Sequence, residues 1–189
     1  MHQVRAMVIR TNRIIQVLFV VSLIAIGIAL ASLKYSGKAH LHIRVSVNSQ
    51  QLNLIRDDGI ILRTYTISTS QFGEGSAAGS RKTPLGHFYI AEKIGDAAAL
   101  GEIFVSRVAT GRFGKDGDPS DFVETRIMWL SGLDSDNANT HARYIYIHGT
   151  NSESKLGTRA SFGCVRMSNK DVVDLFDRVS VGTLVDIVR

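Results

Sequence analysis

Apolar and polar residues alternate from residue 41 onward with the two-residue period of a half-buried β-strand. The first alternating segment, LHIRVSV, places four apolar residues on one face: Leu41, Ile43, Val45 and Val47. Two further strand-like segments follow, QLNLIRD and IILRTYTIS, and the sequence Asp57-Asp58-Gly59 between them is typical of a hairpin turn. The pattern predicts that this region opens with three consecutive antiparallel strands.

Later segments predict more strands and one helix. Strand-like segments are GHFYIAEK, TRIMWL, RYIYIH and TLVDIVR, and long loops are predicted over 70–86 and 132–142. The signals over 95–121 are mixed, with one short apolar segment, EIFVSRVA. Ser168 and Asp171 form a capping-box-like pair before DVVDLFDRV, and Gly182 follows that segment, so a helix is expected there. The expected fold is mainly β, a sandwich or partly open barrel with few short helices.

The N-terminal segment has a different character. Residues 14–33 carry no charge and are long enough to cross a bilayer as a helix, and three arginines precede them. The segment is either an uncleaved anchor in the cytoplasmic membrane or a signal peptide cleaved near Ala31, and both place the rest of the chain outside that membrane. A buried core helix is a third interpretation, and the unbroken apolarity argues against it.

These patterns divide the chain into three parts. We predict a signal-anchor or signal peptide over residues 1–33, forming one N-terminal apolar helix, and a linker over 34–39. A single domain over 40–189 follows, which is long enough to bury a sizeable core. The sequence indicates no oligomeric state.

The charge distribution argues against a nucleic-acid-binding protein. The net charge is +5, but the first 33 residues contribute three arginines and no acidic residue, so the remainder is close to neutral. Nucleic-acid recognition would require a stripe of basic residues interleaved with aromatic residues, and the sequence has no such stripe. We therefore expect no nucleic-acid partner.

The chain has one cysteine, Cys164, which excludes an intramolecular disulfide. Such a thiol is a small buried residue, an intermolecular bridge or a nucleophile. A free thiol outside the cytoplasm is exposed to oxidation, so its presence there favours a functional role.

The surroundings of Cys164 suggest acyl transfer. His148 ends the strand RYIYIH and is a candidate base for the thiol, because a thiol attacks acyl groups only as the thiolate. Arg166 and the start of the predicted helix supply positive charge, so we expect them to lower the pKa of the thiol. Gly163 allows a turn whose backbone N–H groups can form an oxyanion hole. A zinc site formed by His141, His148 and Cys164 is an alternative. A catalytic pair of Cys164 and His148 explains two of these three residues more simply.

Two motifs together resemble one known family. The sequence HGT…SFGCVRM, with SRKTPLGHFYI upstream, is similar to the L,D-transpeptidase (YkuD-like) catalytic domain family of bacterial cell-wall enzymes, over roughly residues 41–188. The resemblance implies that Cys164 is the nucleophile, that His148 is the base and that the carbonyl of Gly149 orients the imidazole. It also implies oxyanion donors at Phe162, Gly163 and Cys164, and substrate-binding or supporting roles for Arg166, Ser161, Thr150 and Tyr146.

This chain departs from the family pattern at two points. Twelve residues separate His148 from Ser161, so the intervening loop is short, and Phe162 stands where the family has a second histidine. The backbone N–H of Phe162 retains the oxyanion role, but any contribution of the missing imidazole is lost. We expect these departures to affect rate and acceptor choice more than the chemistry.

The resemblance implies a cysteine-dependent acyltransferase that cross-links peptidoglycan stem peptides in the periplasm without metal or cofactor. The thiolate would attack the third-residue carbonyl of a tetrapeptide stem, release D-alanine and pass the acyl group to an amine. One alternative is a hydrolase that uses the same two residues, as an L,D-carboxypeptidase or an endopeptidase. Another is a non-catalytic domain that binds the cell wall.

Overall fold

The computed structural model describes residues 40–189. The predicted apolar helix over 14–33 and the predicted linker over 34–39 lie outside this range. Ten strands are present: β1 (Leu41–Ser46), β2 (Gln51–Arg56), β3 (Ile61–Ser68), β4 (Gly86–Ile94), β5 (Glu102–Val105), β6 (Val108–Phe113), β7 (Val123–Gly132), β8 (Tyr146–Gly149), β9 (Val165–Met167) and β10 (Leu184–Val188). One α-helix, α1 (Asn169–Arg178), and two short 3-10 helices, Ser135–Asn137 and Glu153–Lys155, complete the structure. Residues 40–189 include no helix that is long and apolar enough to span a bilayer.

Eight of the strands form a closed ring, in the order β4-β10-β1-β2-β3-β9-β8-β7, and β7 pairs again with β4. Most neighbours are antiparallel, but β1 pairs with β10 and β8 pairs with β9 in parallel. The β5–β6 hairpin extends the sheet beyond β7. The predicted mainly β fold is confirmed, and the β4–β7 pairing closes the barrel because no edge is left between those strands.

Helix α1 begins and packs as its sequence predicts. The hydroxyl of Ser168 accepts a hydrogen bond from the N–H of Asp171 at 3.1 Å, which caps the first turn. Val172, Leu175 and Phe176 are buried in the same core as the apolar faces of β1, β2 and β10. Their spacing of three and four residues gives the helix one continuous apolar stripe.

Turns of the backbone change the bounds of one predicted strand and explain the mixed signals around the segment EIFVSRVA. Tyr144 has a φ of 58°, so the segment RYIYIH becomes extended only at Tyr146. Ser106 and Arg107 have φ values of 48° and 67°, and the segment EIFVSRVA is therefore a hairpin that contains β5 and the start of β6. Single residues with positive φ leave little trace in an apolar pattern when they are not glycine.

We expect Leu175→Ala to lower the free energy of unfolding by about 2–5 kcal/mol, because Leu175 is fully buried and the smaller side chain leaves a cavity. Urea unfolding of the purified protein measures the loss. Val173→Ala is the matched control on the same helix, where the side chain is only partly buried and roughly 1 kcal/mol is expected. Equal losses for the two variants would contradict the position of the apolar stripe.

Candidate active site

The pairing of β8 with β9 places the candidate nucleophile and the candidate base on the same face of the sheet. His148 pairs with Arg166 across the two parallel strands, and Cys164 lies immediately before β9, level with Tyr146. The N–H of Tyr146 donates to the sulfur at 3.4 Å, and the thiol donates to the carbonyl of Tyr144 at 3.4 Å. The sulfur is therefore held against the start of β8, the strand that carries His148.

His148 has a defined tautomer and orientation. Its Nδ1 lies 2.7 Å from the carbonyl oxygen of Gly149, and because a carbonyl only accepts, Nδ1 carries the proton. Nε2 is then the nitrogen that can accept a proton. The imidazole is 2% exposed, and its ring stands almost perpendicular to that of Tyr146, with ring centroids 6.4 Å apart.

Removal of water favours the neutral form of both groups, the buried His148 and the half-buried Cys164. It raises the pKa of Cys164 to about 12, and the negative charge of Asp121 adds to this effect, although the Tyr146 N–H, Arg166 and Arg143 act against it. Arg166 lowers the pKa of the thiol as expected, but removal of water from the sulfur outweighs the nearby cations. Burial also lowers the pKa of His148, against the opposing charge of Asp121. A neutral imidazole has a free nitrogen that can accept a proton.

The turn before Cys164 is held by side-chain hydrogen bonds. Ser161 Oγ donates to the carbonyl of Cys164 at 2.7 Å and accepts from the N–H of Gly163 at 3.2 Å, and Thr83 Oγ1 donates to the carbonyl of Gly163 at 3.0 Å. Gly163 has a φ of 126°, where a side chain would be strained. Its N–H is therefore engaged within the turn, so its expected oxyanion role requires that the bond to Ser161 open.

Arg166 occupies the interior of the protein. Its side chain is 3% exposed, and Nη1 lies 3.0 Å from Oδ1 of Asp121. This ion pair joins β9 to the loop before β7. Because Arg166 is buried and already paired, it is better placed to brace this loop than to bind a substrate carboxylate. Sequence reasoning missed Asp121, because it lies in a polar glycine-containing stretch far from Cys164 along the chain.

A buried polar cluster supports the end of β8. Asn169 Nδ2 donates to Oε2 of Glu124 at 2.9 Å and to the carbonyl of Thr150 at 3.2 Å, and Thr125 Oγ1 donates to Asn169 Oδ1 at 2.5 Å. A Cβ on Gly149 would overlap Asn169 Oδ1 and lie 2.8 Å from the carbonyl of Glu124. Close packing therefore requires glycine after His148. Sequence analysis identified Gly149 and Thr150 but not Glu124 or Asn169, which are distant in sequence.

Phe162 lies on an exposed wall of the site. Its side chain is 46% exposed, its ring centroid is 5.9 Å from that of Phe72, and the guanidinium of Arg81 lies 5.6 Å from its ring. Phe72 and Arg81 belong to the predicted loop over 70–86. The residue that replaces the family histidine thus contacts this loop.

Aromatic residues form a second wall beside the sulfur. The ring of Trp129 stacks on His141 with centroids 3.9 Å apart, and it lies 5.6 Å from Tyr144 and 5.4 Å from Tyr146. His141 Nε2 is 3.2 Å from Oε1 of Glu92, so this histidine has partners other than the candidate catalytic pair. In residues 40–189, no three histidine, cysteine or acidic side chains are grouped as a metal site would require.

We expect alkylation of Cys164 by iodoacetamide to be slow at neutral pH and to rise about tenfold per pH unit through the alkaline range, because only the thiolate reacts and its pKa is raised to about 12. The rate is measured by mass spectrometry across that range on the folded protein. A denatured sample is the control and should level off near the ordinary thiol pKa. A rate that levels off at neutral pH in the folded protein would contradict the neutral pair.

Comparison with known proteins identifies a family whose sequences match this chain. A family model described as the L,D-transpeptidase catalytic domain (YkuD) matches residues 40–187. The putative L,D-transpeptidase YkuD of Bacillus subtilis is 30% identical over 148 residues, which are 78% of this chain and 66% of that protein. The probable L,D-transpeptidase ErfK/SrfK of Escherichia coli is 50% identical over 46 residues, 24% of this chain and 15% of that protein. The chain therefore spans less than two thirds of either relative.

Solved structures show the same fold. L,D-transpeptidase 3 from Mycobacterium tuberculosis, in complex with a faropenem-derived adduct, matches with a TM-score of 0.53 at 17% identity, over 80% of this chain and 61% of that chain. An L,D-transpeptidase from Mycobacterium smegmatis matches with a TM-score of 0.51 at 16% identity, over 79% and 58%. Because the family model covers most of the chain, this protein belongs to the L,D-transpeptidase catalytic-domain family.

Proposed function

We propose that this protein is a peptidoglycan L,D-transpeptidase that uses Cys164 as nucleophile and His148 as general base. The observation that carries the proposal is the register of β8 and β9, which places Cys164 and His148 on the same face of the paired strands, with Nδ1 of His148 bonded to the carbonyl of Gly149. This orientation leaves Nε2 as the proton acceptor. Membership of the family supplies the substrate class, the tetrapeptide stems of the bacterial cell wall.

The first half-reaction forms a thioester. His148 Nε2 accepts the thiol proton while the sulfur attacks the third-residue carbonyl of the stem. The tetrahedral intermediate places its oxyanion on the backbone N–H groups of the turn, with Cys164 and Phe162 as the proposed donors. When the intermediate collapses, the carbon–nitrogen bond breaks, and the imidazolium gives its proton to the departing amine of D-alanine.

The second half-reaction transfers the acyl group. An amine of a neighbouring stem attacks the thioester carbonyl, and His148 takes the proton that the amine loses. The carbon–sulfur bond then breaks, and the sulfur regains a proton from the imidazolium. The products are an amide cross-link and the original thiol, so protons balance without a metal or organic cofactor.

The neutral resting pair determines how the attack begins. With the pKa of Cys164 raised to about 12, the thiolate is a small minority at neutral pH. A preformed thiolate therefore contributes little, and proton transfer to His148 must accompany the attack. Arg166 and Arg143 favour the charge as it develops on the sulfur, since both lower the pKa of the thiol. Their contribution grows in the transition state, which is where electrostatic stabilisation accelerates a reaction.

We also propose that residues 14–33 place the catalytic domain on the extracytoplasmic side of the cytoplasmic membrane, as an anchor or as a cleaved signal. Twenty uncharged residues preceded by arginines have this effect in membrane insertion. The location agrees with a peptidoglycan substrate. It also leaves the lone thiol in an oxidising environment, where its burial limits the ionised and reactive fraction.

The proposal predicts an acyl-enzyme on Cys164. Incubation of the purified full-length protein with a tetrapeptide donor that ends in D-alanine should give a covalent adduct of the donor minus D-alanine, detected by mass spectrometry. Cys164→Ala should give no adduct, and His148→Gln should slow acylation by at least about 100-fold, because the general base is lost. His87→Gln, in which the replaced side chain is exposed and pairs with Asp134, is the matched control and should acylate normally.

The outcomes separate the candidate functions. Amide products formed with an added amine acceptor support the transpeptidase, whereas trimmed stems formed in its presence support the hydrolase. An adduct that persists in Cys164→Ala, or folded wild-type protein with a reduced thiol that never acylates, would refute the proposed chemistry.

We expect the acidic limb of the acylation rate to lie below the ordinary range of histidine, with a midpoint under about pH 6.5, because burial lowers the pKa of His148 and keeps the imidazole able to accept a proton. Measurement of kcat/KM for the donor against pH tests this. A midpoint above that range would indicate that Asp121 outweighs burial at His148.

A further inference from the structure

Arg107 is held in an unusual position at the tip of the β5–β6 hairpin. The turn consists of Ser106 and Arg107, which both have positive φ, at 48° and 67°. Neither residue is glycine, so the turn has a strained backbone that a glycine or asparagine would relieve. Non-glycine residues in this conformation cluster at functional sites, where the surroundings fix them.

The guanidinium of Arg107 lies on the aromatic wall beside the sulfur. It is 4.8 Å from the ring centroid of Trp129 and 5.3 Å from that of Tyr144, and Nη1 is 3.5 Å from the hydroxyl of Tyr146. The backbones of Tyr144 and Tyr146 make the two hydrogen bonds to the sulfur of Cys164. Arg107 thus shares two residues with the immediate surroundings of the nucleophile.

Within the part of the chain that the structure describes, Arg107 has no carboxylate or carbonyl partner, unlike Arg166 and Arg143, the two arginines whose charges act on the thiol. Arg166 is buried against Asp121, and Arg143 donates to the carbonyls of Gly75 and Lys82. Over residues 40–189, no carboxylate lies within ion-pair distance of Arg107. A guanidinium that rests on aromatic rings keeps its N–H edges available for a planar anion.

We propose that Arg107 determines donor specificity by binding a free carboxylate of the stem peptide next to the scissile bond. This inference rests on the proposed transpeptidase function. A carboxylate matches the two parallel N–H groups of a guanidinium, and the aromatic wall fixes the plane in which they point. The carboxylate comes either from the C-terminus of the departing residue or from the side chain of the third residue, if that residue is a diamino diacid. The ion pair between Arg107 and this carboxylate would hold the donor carbonyl beside the sulfur. Peptides without the carboxylate would bind more weakly.

The test compares donors and variants in a single assay. Four tetrapeptide donors are used: one with both carboxylates free, one with only the C-terminal group amidated, one with only the side-chain group amidated and one with both amidated. Acylation kinetics are measured by mass spectrometry on the full-length wild type, Arg107→Gln and Arg107→Lys. Arg112→Gln is the matched control, because Arg112 is exposed on β6 of the same hairpin. Thermal melting establishes that each variant is folded.

We expect Arg107→Gln to lower kcat/KM about 10- to 100-fold on the donor with both carboxylates, the effect of losing a charge-assisted hydrogen bond. Arg107→Lys should recover part of the rate, because it retains the charge without the planar pair of donors. Arg112→Gln should match the wild type. The amidated donor on which wild type and Arg107→Gln become equal identifies the carboxylate, and either assignment supports the proposal.

Two outcomes would overturn the inference while the proposed function stands. One is equal activity of wild type and Arg107→Gln on every donor. The other is the same loss on all four donors, which would show that Arg107 supports the aromatic wall without reading a carboxylate. Failure of the wild type to acylate with any donor would instead refute the proposed function, and the inference with it.

Discussion

The parallel pairing of β8 with β9 is the constraint on which the candidate site depends. It sets His148 level with Arg166, and it leaves Cys164 at the start of β9, where the backbone of residues 144–146 contacts the sulfur. A shift of one residue would turn His148 to the opposite face, because side chains alternate along a strand. The chemistry therefore rests on backbone register, and neighbouring strands on both sides hold that register.

Charge around the site is arranged to keep the reacting groups uncharged until they are used. Burial acts in the same direction on both, disfavouring a thiolate and an imidazolium, and the Asp121–Arg166 pair supplies one charge of each sign nearby. Asp121 favours the imidazolium and disfavours the thiolate, whereas Arg166 favours the thiolate and disfavours the imidazolium, so the two charges of the pair act on each group in opposite directions. This arrangement differs from a cysteine activated in advance by a lowered pKa.

Much of the fold could be predicted from the sequence, because several strands and the helix have local sequence patterns. Alternating apolar residues define β1 to β3, and the capped helix α1 is equally clear, because both patterns are local. Cys164 and His148 were identifiable from their motifs. Asp121, Glu124 and Asn169 were not, since their contacts join residues far apart along the chain and nothing local distinguishes them from solvated polar residues. The raised pKa of Cys164 could not be predicted for a related reason. The residues that exclude water from the sulfur are distant in sequence and are not part of its motif.

The closure of the barrel has a consequence for biogenesis. Strand β10 lies between β1 and β4, so the first strand of the domain is completed only by residues 184–188. During synthesis from the N-terminus, β1 leaves the ribosome long before its parallel partner exists, and the ring stays open until then. Pairing of such distant segments folds slowly, because a long loop must close first. The barrel therefore closes only after residues 184–188 have been synthesised, so the complete ring forms after translation of this domain rather than during it.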